Sequence, residues 1–214
     1  MNILQVTLGF FPAVGWGGPV KIVHQNSREL VKRGHKVTVY CTNLLNKKQK
    51  IKPSTFEANI DGIRVVYLDT CNLHWWPGTL GPFWLPDLSS YLKQEINSFD
   101  VIHINGYRGQ LMLSTARAAK YAGIPVVTQP HGTLPVVMNT FVLKRVYDYL
   151  LGNKELKCIS CLIALQESER LQALDHGVPT DRIEIIPNGI DPQEINNLPE
   201  KGMFRRRNSF SMHS

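Results

Sequence analysis

Short β-branched apolar runs alternate with longer stretches in which apolar residues recur at helical spacing, and the alternation persists from Asn2 to Ile186. The runs Asn2–Thr7, Lys36–Thr42, Ile63–Leu68, Val101–Asn105, Val126–Gln129, Cys161–Leu165 and Ile183–Ile186 read as strands. Between them, Pro19–Arg33, Asp87–Asn97, Gln110–Ala122, Phe141 to about Leu156, and Glu169–His176 read as helices. In the first helix Pro19 suits the opening turn, and Val20, Val23, Ser27, Leu30 and Val31 form one inward stripe; Ser168 is placed to cap the last helix. Three of these helices stop at a glycine and pass directly toward a strand, at Arg33-Gly34-His35, Ala122-Gly123-Ile124-Pro125 and His176-Gly177-Val178-Pro179. Glycine just past a helix end supplies the left-handed conformation that terminates it, so the three sites mark repeated helix-to-strand crossovers. The fold class is therefore α/β: a Rossmann-like parallel sheet with helices on both faces, whose ligands gather at the carboxyl ends of the strands.

Composition adds little to this frame but narrows the partners. A chain of 214 residues, 43% hydrophobic, can bury the core of one large domain or two small ones. The net charge of +7 favours acidic partners, among them sugar nucleotides and phospholipid head groups. Its basic clusters are only Lys47, Lys48, Lys50 and Lys52 in one segment and Arg205–Arg207 in another, which reads as solvated loop and tail charge; no nucleic-acid partner is expected. Cys158 and Cys161 form a C-x-x-C without a second ligand pair, so the expectation is two small buried residues flanking a strand and no metal. The start Met1-Asn2-Ile3-Leu4-Gln5-Val6-Thr7 has no basic signal-peptide opening and no stretch approaches a spanning helix, which fits a cytoplasmic protein.

Candidate chemistry lies in three segments that follow strands. Gly15, Gly17 and Gly18 come after the first strand and open the first helix, where free N–H groups and the helix dipole favour an anion such as a phosphate. A dinucleotide fingerprint would need a third glycine where Val20 stands, and a carboxylate where the second strand ends in Cys41-Thr42-Asn43, which disfavours an oxidoreductase. In Val101-Ile102-His103-Ile104-Asn105, alternation puts His103 and Asn105 on one side, a candidate pair for substrate contact; taken alone, His103 also reads as a hydrogen-bonded core histidine. His131-Gly132, just past the Val126–Gln129 strand, is the best catalytic candidate, with Gly132 keeping the backbone beside it open.

Taken in order, Gly17-Gly18, the strand Asp100-Val101-Ile102-His103, His131-Gly132, Ala164-Leu165-Gln166-Glu167-Ser168-Glu169 and Pro187-Asn188-Gly189-Ile190-Asp191 resemble the amino-terminal half of the retaining glycosyltransferases of family four, which have the GT-B fold. The resemblance implies an acceptor-side domain over residues 1–191, with 192–214 a hinge stub or irregular tail. It implies a nucleotide-sugar donor, UDP- or GDP-linked, whose diphosphate meets the Gly17 and Gly18 amides, and a transferred sugar contacted by His131. Sugar transfer would proceed without a metal. Lys144 and Arg145 fall where the family often presents charge toward its cleft, and many members carry a histidine where this chain has Asn105, so no acid/base role is expected there.

The family's donor-binding half carries two glutamates eight positions apart, and no pair of glutamates in this chain has that spacing. The expectation is therefore a chain inactive by itself that works with a separate carboxy-terminal domain; the alternative is a non-catalytic binding module or a truncated remnant. Finally, the loop Leu73–Pro86 holds Trp75, Trp76 and Trp84 among prolines and glycines. Large aromatics in such a loop are expected to flank the cleft for a sugar or lipid-linked acceptor, with Trp75 and Trp76 touching the acceptor or the inner face of a membrane.

Overall fold

The computed structural model describes residues 1–46, 49–51, 56–72, 83–135, 141–191 and 200–207. Strands β1 (Asn2–Thr7), β2 (Lys36–Thr42), β4 (Ile63–Leu68), β7 (Val101–Asn105) and β8 (Val126–Gln129) keep the bounds expected from the sequence, while β9 (Cys161–Ala164) and β10 (Ile183–Ile185) each end one residue earlier. Two elements have no counterpart in the sequence reading: β3 (Glu57–Ile60), and a separate two-stranded ribbon of β5 (Cys71–Asn72) with β6 (Phe83–Trp84). The helices are α1 (Gly18–Lys32), α2 (Leu88–Glu95), α3 (Gln110–Ala122), α4 (Phe141–Tyr147), α5 (Asn153–Leu156), α6 (Glu167–Asp175) and α7 (Met203–Arg207). The expected single helix from Phe141 to Leu156 is α4 and α5 joined through a π-helical turn, Asp148–Gly152. Ser168 does not cap α6; Gln166 takes the capping position in extended backbone and Ser168 lies within the helix. The tail expected to be irregular contains α7.

One sheet runs β10-β9-β8-β7-β1-β2-β4-β3, parallel throughout except for β3, which pairs antiparallel with β4 at the edge. Alternation assigns the two faces. Val37, Val39 and Cys41 of β2 and Ile63, Val65 and Tyr67 of β4 pack with Val23, Leu30 and Val31 of α1. Leu4 and Val6 of β1, with Tyr40, Val66 and Leu68, face the other way and meet Leu88 and Leu92 of α2 and Leu111 and Ala116 of α3. Gly34, Gly123 and Gly177 all hold positive φ at the helix ends, the device the sequence repeats. Of the C-x-x-C pair, Cys161 opens β9 as expected, but both cysteines are only half-buried. No helix among the described residues is long and apolar enough to cross a membrane.

This order has a consequence for ligands. From β1 the chain winds outward through β2 and β4, then returns to the other side of β1 as β7. The crevice beyond the carboxyl ends of β1 and β7 is thus the topological switch point, where open α/β sheets take their ligands.

Candidate functional site

A cavity of about 280 Å³ opens at this switch point. Thr7 at the end of β1, Asn105 at the end of β7 and His131 beyond β8 line it, with Trp16 and Pro19 from the glycine loop and the Gly106–Met112 segment leading into α3. Pro130 follows β8 directly, and the chain then turns sharply at His131, whose φ of 52° is in the left-handed region that a non-glycine residue seldom occupies, and continues through Gly132 at 75°. Such a turn persists only when its surroundings enforce it. Glu169, buried on α6, supplies that enforcement: its Oε1 accepts the Gly132 N–H at 2.6 Å and its Oε2 accepts the Leu165 N–H at 2.7 Å. One carboxylate thereby ties the His131 turn to the end of β9.

The imidazole itself sits against buried amides. Nε2 of His131 lies 3.2 Å from Oδ1 of Asn105, and Nδ2 of Asn105 donates to Oε1 of Gln5 at 2.8 Å. Burial lowers the His131 pKa below the usual imidazole value, against the pull of the Glu169 carboxylate, so the ring is neutral at neutral pH. His103 shares the Asn105 face but stands one pleat deeper. Its ring lines neither this cavity nor the second one, burial foremost pushes its pKa down to about 4, with repulsion from His131 adding to it when that ring is protonated, and its Nε2 has no hydrogen-bond partner among the described residues. His103 is thus set apart from both cavities, and the hydrogen bond the strand pattern suggests is missing at Nε2.

The glycine loop builds a second cavity. Gly17 takes a φ of 82° and Gly18 opens α1, with no side chain capping the helix; nothing stands within 4 Å of the space a Cβ would fill at either residue. Ligand atoms can therefore approach the amides of the first turn, which carry about half a positive charge. Gly17, Gly18, Lys21, His24 and Arg28 line this cavity, whose floor includes Asp191, paired to Arg28 at 2.8 Å. Val20 lines both cavities, so the anion-favouring helix end and the His131 cavity adjoin across the first turn of α1.

A family model described as Glycosyltransferase Family 4 matches residues 16–194, which include His131, Asn105, Gly17 and Gly18. The chain belongs to Glycosyltransferase Family 4. No curated protein sequence matches it significantly. Among solved structures, Anabaena HepE in complex with UDP and glucose is similar at 18% identity and a TM-score of 0.59, covering 98% of this chain and 50% of that one. Sucrose-phosphate synthase from Thermosynechococcus elongatus is similar at 13% identity and a TM-score of 0.55, covering 98% and 53%. A UDP-GlcNAc 2-epimerase from Neisseria meningitidis bound to UDP-GlcNAc is similar at 14% identity and a TM-score of 0.52, covering 100% and 55%. The chain thus spans about half the length of these proteins. At such identities the likeness concerns the fold, that of GT-B glycosyltransferase halves, and a fold alone does not fix a function.

Arg145 is exposed on α4 and lines neither cavity, and the Lys144 side chain, Trp75 and Trp76 lie outside the described residues. The end of the aromatic loop does reach the first cavity: Leu85 lines it, and its N–H donates to Gln110 Oε1 at 2.8 Å. Trp84 beside it is exposed.

Beneath the His131 cavity lies a cluster the sequence did not disclose. Arg108, itself at a φ of 69°, donates from Nε and Nη2 to both carboxylate oxygens of Asp148 at 2.8 and 2.6 Å, and to the carbonyls of Thr133 and Leu134. His176 stands behind Asp148, with its Nδ1–H donating to the Gln172 carbonyl and Nε2 3.7 Å from the carboxylate. Glu155 is fully buried beside them, and neither of its oxygens has a hydrogen-bond partner of good geometry. Burial and the charge of Asp148 push its carboxyl up to about 8, against the charge and backbone amide of Arg108.

At neutral pH, then, Glu155 keeps its proton in the folded chain. Unfolded, it would lose that proton near its ordinary value of about 4.3, so its contribution to stability declines as pH rises from there to about 8 and then levels off. Glu155→Gln removes this dependence. Its advantage over the parent chain is expected to widen through that window, by up to about 1.4 kcal/mol per pH unit, in urea midpoints measured at both ends. A difference that stays constant with pH would show that Glu155 titrates normally.

Proposed function

We propose that this Family 4 chain forms the acceptor-side half of a retaining glycosyltransferase that moves a sugar from a UDP- or GDP-sugar to a sugar or lipid-linked acceptor. The observation that carries the reading is the adjacency of the two cavities across Val20. A nucleotide sugar needs neighbouring places for a diphosphate and for a neutral, hydroxyl-rich ring. The open amides of Gly17 and Gly18, with Lys21 and the α1 dipole, suit the first; the cavity of His131, Asn105 and Thr7 suits the second. HepE holding UDP and glucose on a similar fold supports the choice of ligand.

In this reading His131 contacts the transferred sugar, Gly132 adds no side chain beside it while its N–H is held by Glu169, and positive groups near Gly17 and Gly18 stabilise charge on the departing diphosphate without a metal, which is electrostatic catalysis. The Asn188 and Asp191 contacts to Gln129 and Arg28 tie the end of the domain, residues 1–191, back to the site. The remaining donor contacts come from a carboxy-terminal domain, because the family's paired donor-side glutamates have no match in these residues. Work in the cytoplasm, peripheral at the inner face of the membrane for a lipid-linked acceptor, belongs to the same reading.

Binding and orienting both reactants supplies much of the rate acceleration in such a transfer. The purified 214-residue chain is therefore expected to transfer no sugar from UDP-glucose or GDP-mannose above background, and transfer should appear once a donor-binding domain is joined to it. The anomeric configuration of the product, read by proton NMR, tests retention. Robust turnover by the chain alone would overturn the half-enzyme reading.

A further inference from the structure

We propose that Asn105 is a positioning residue that holds His131 as the neutral tautomer protonated at Nε2, leaving Nδ1 as the nitrogen that accepts a hydrogen bond from a ligand hydroxyl. The polarity of the Asn105 amide decides this. Its Nδ2 lies between two oxygens, Gln5 Oε1 at 2.8 Å and the backbone carbonyl of His103 at 3.4 Å. A backbone carbonyl can only accept, so turning the amide round would set oxygen against oxygen in a buried site. Oδ1 must therefore be the atom that faces His131. Being a carbonyl oxygen, it too can only accept, and the ring nitrogen 3.2 Å away must carry the hydrogen.

A neutral imidazole has one N–H, and here it is committed to Asn105. The ring is kept neutral by burial, opposed by the one carboxylate near it, that of Glu169, while the other nearby titratable group, His103, is itself held neutral by burial. Nδ1 then carries the lone pair on the side chain that lines the cavity. A histidine at position 105, with an acceptor and a donor nitrogen that can exchange, would leave the His131 tautomer open; the amide, fixed by its backbone anchor, closes it. His131 accordingly receives a hydrogen bond instead of giving a proton. That the hydroxyl belongs to a sugar rests on the function proposed above, but the tautomer does not.

The test is a long-range proton–nitrogen NMR correlation on the 214-residue chain labelled with ¹⁵N-histidine, with no sugar transfer required. At neutral pH His131 is expected to show a protonated Nε2 and an unprotonated Nδ1. Asn105→Leu, which removes the acceptor, should give a mixture of both tautomers. Asn105→Asp should keep the Nε2–H form and raise the His131 pKa by roughly one to three units, since a carboxylate then faces the ring. A His131 protonated at Nδ1 in the parent chain would overturn the proposal, as would an undisturbed Nε2–H form in Asn105→Leu. If the buried substitutions prevent folding, the spectrum of the parent chain decides by itself.

Discussion

Alanine in place of His131 is expected to lower the turnover of a reconstituted two-domain enzyme by about 10²-fold, because a sugar that has lost the hydrogen bond orienting it is misplaced at the reacting centre. Unfolding free energy should fall by no more than about 1–3 kcal/mol, the cost of leaving the buried Asn105 Oδ1 without its partner. The left-handed turn does not depend on the imidazole. It is held by Glu169 through the Gly132 and Leu165 amides. Comparing kcat/KM and the urea midpoint of the two proteins separates the outcomes. Normal turnover in the folded fraction with a large loss of stability would assign His131 to structure.

The strands were legible because each is a β-branched run bounded by a helix stop or a turn, and five of the seven keep their expected bounds to the residue. β3 was not, for a physical reason. Glu-Ala-Asn-Ile at the sheet edge is half solvated, so it carries no apolar run, and only pairing with β4 makes it a strand. The π-helical turn at Asp148–Gly152 was equally hidden, since the apolar period of Phe141–Leu156 is that of an ordinary helix. A tertiary contact marks the turn: at its end Gly152 packs so closely on Tyr107 that a Cβ there would collide with the phenol hydroxyl.

The same contrast divides the site. Gly17, Gly18, Asn105 and His131 could be found because each lies at or beyond the carboxyl end of a strand, and the parallel sheet gathers those ends in one place. Their supports could not be found in that way. Glu169 acts on Gly132 from 37 residues away, and Gln5 on Asn105 from 100. Gln5 did leave one trace, a lone amide within the otherwise apolar body of β1, where a buried polar side chain requires a partner. Glu169 left another in the quoted Gln166–Glu169 segment, although nothing local said which amides its carboxylate would bind.

The buried Arg108–Asp148 pair should carry the largest effect on stability. Both side chains are nearly enclosed, at 4% and 12% exposure, and Asp148 meets the guanidinium with two parallel hydrogen bonds. Burial acts to raise the Asp148 pKa, but the nearby His176 ring and the hydrogen bonds and charge of Arg108 outweigh it and hold the group ionised. Asp148→Ala would leave the Arg108 charge without its counter-ion, although the Thr133 and Leu134 carbonyls remain in contact. Removing one partner of a buried pair typically costs about 3–5 kcal/mol, against about 1 kcal/mol or less for an exposed one. A loss in that upper range is expected from urea unfolding of Asp148→Ala. The double variant Arg108→Met/Asp148→Leu should recover much of it, because it takes the buried charges away together and fills their volume with apolar atoms. The recovery is what separates an uncompensated charge from a mere cavity: a double variant no more stable than Asp148→Ala, or a single variant losing under about 1 kcal/mol, would place the stability of the cavity floor elsewhere.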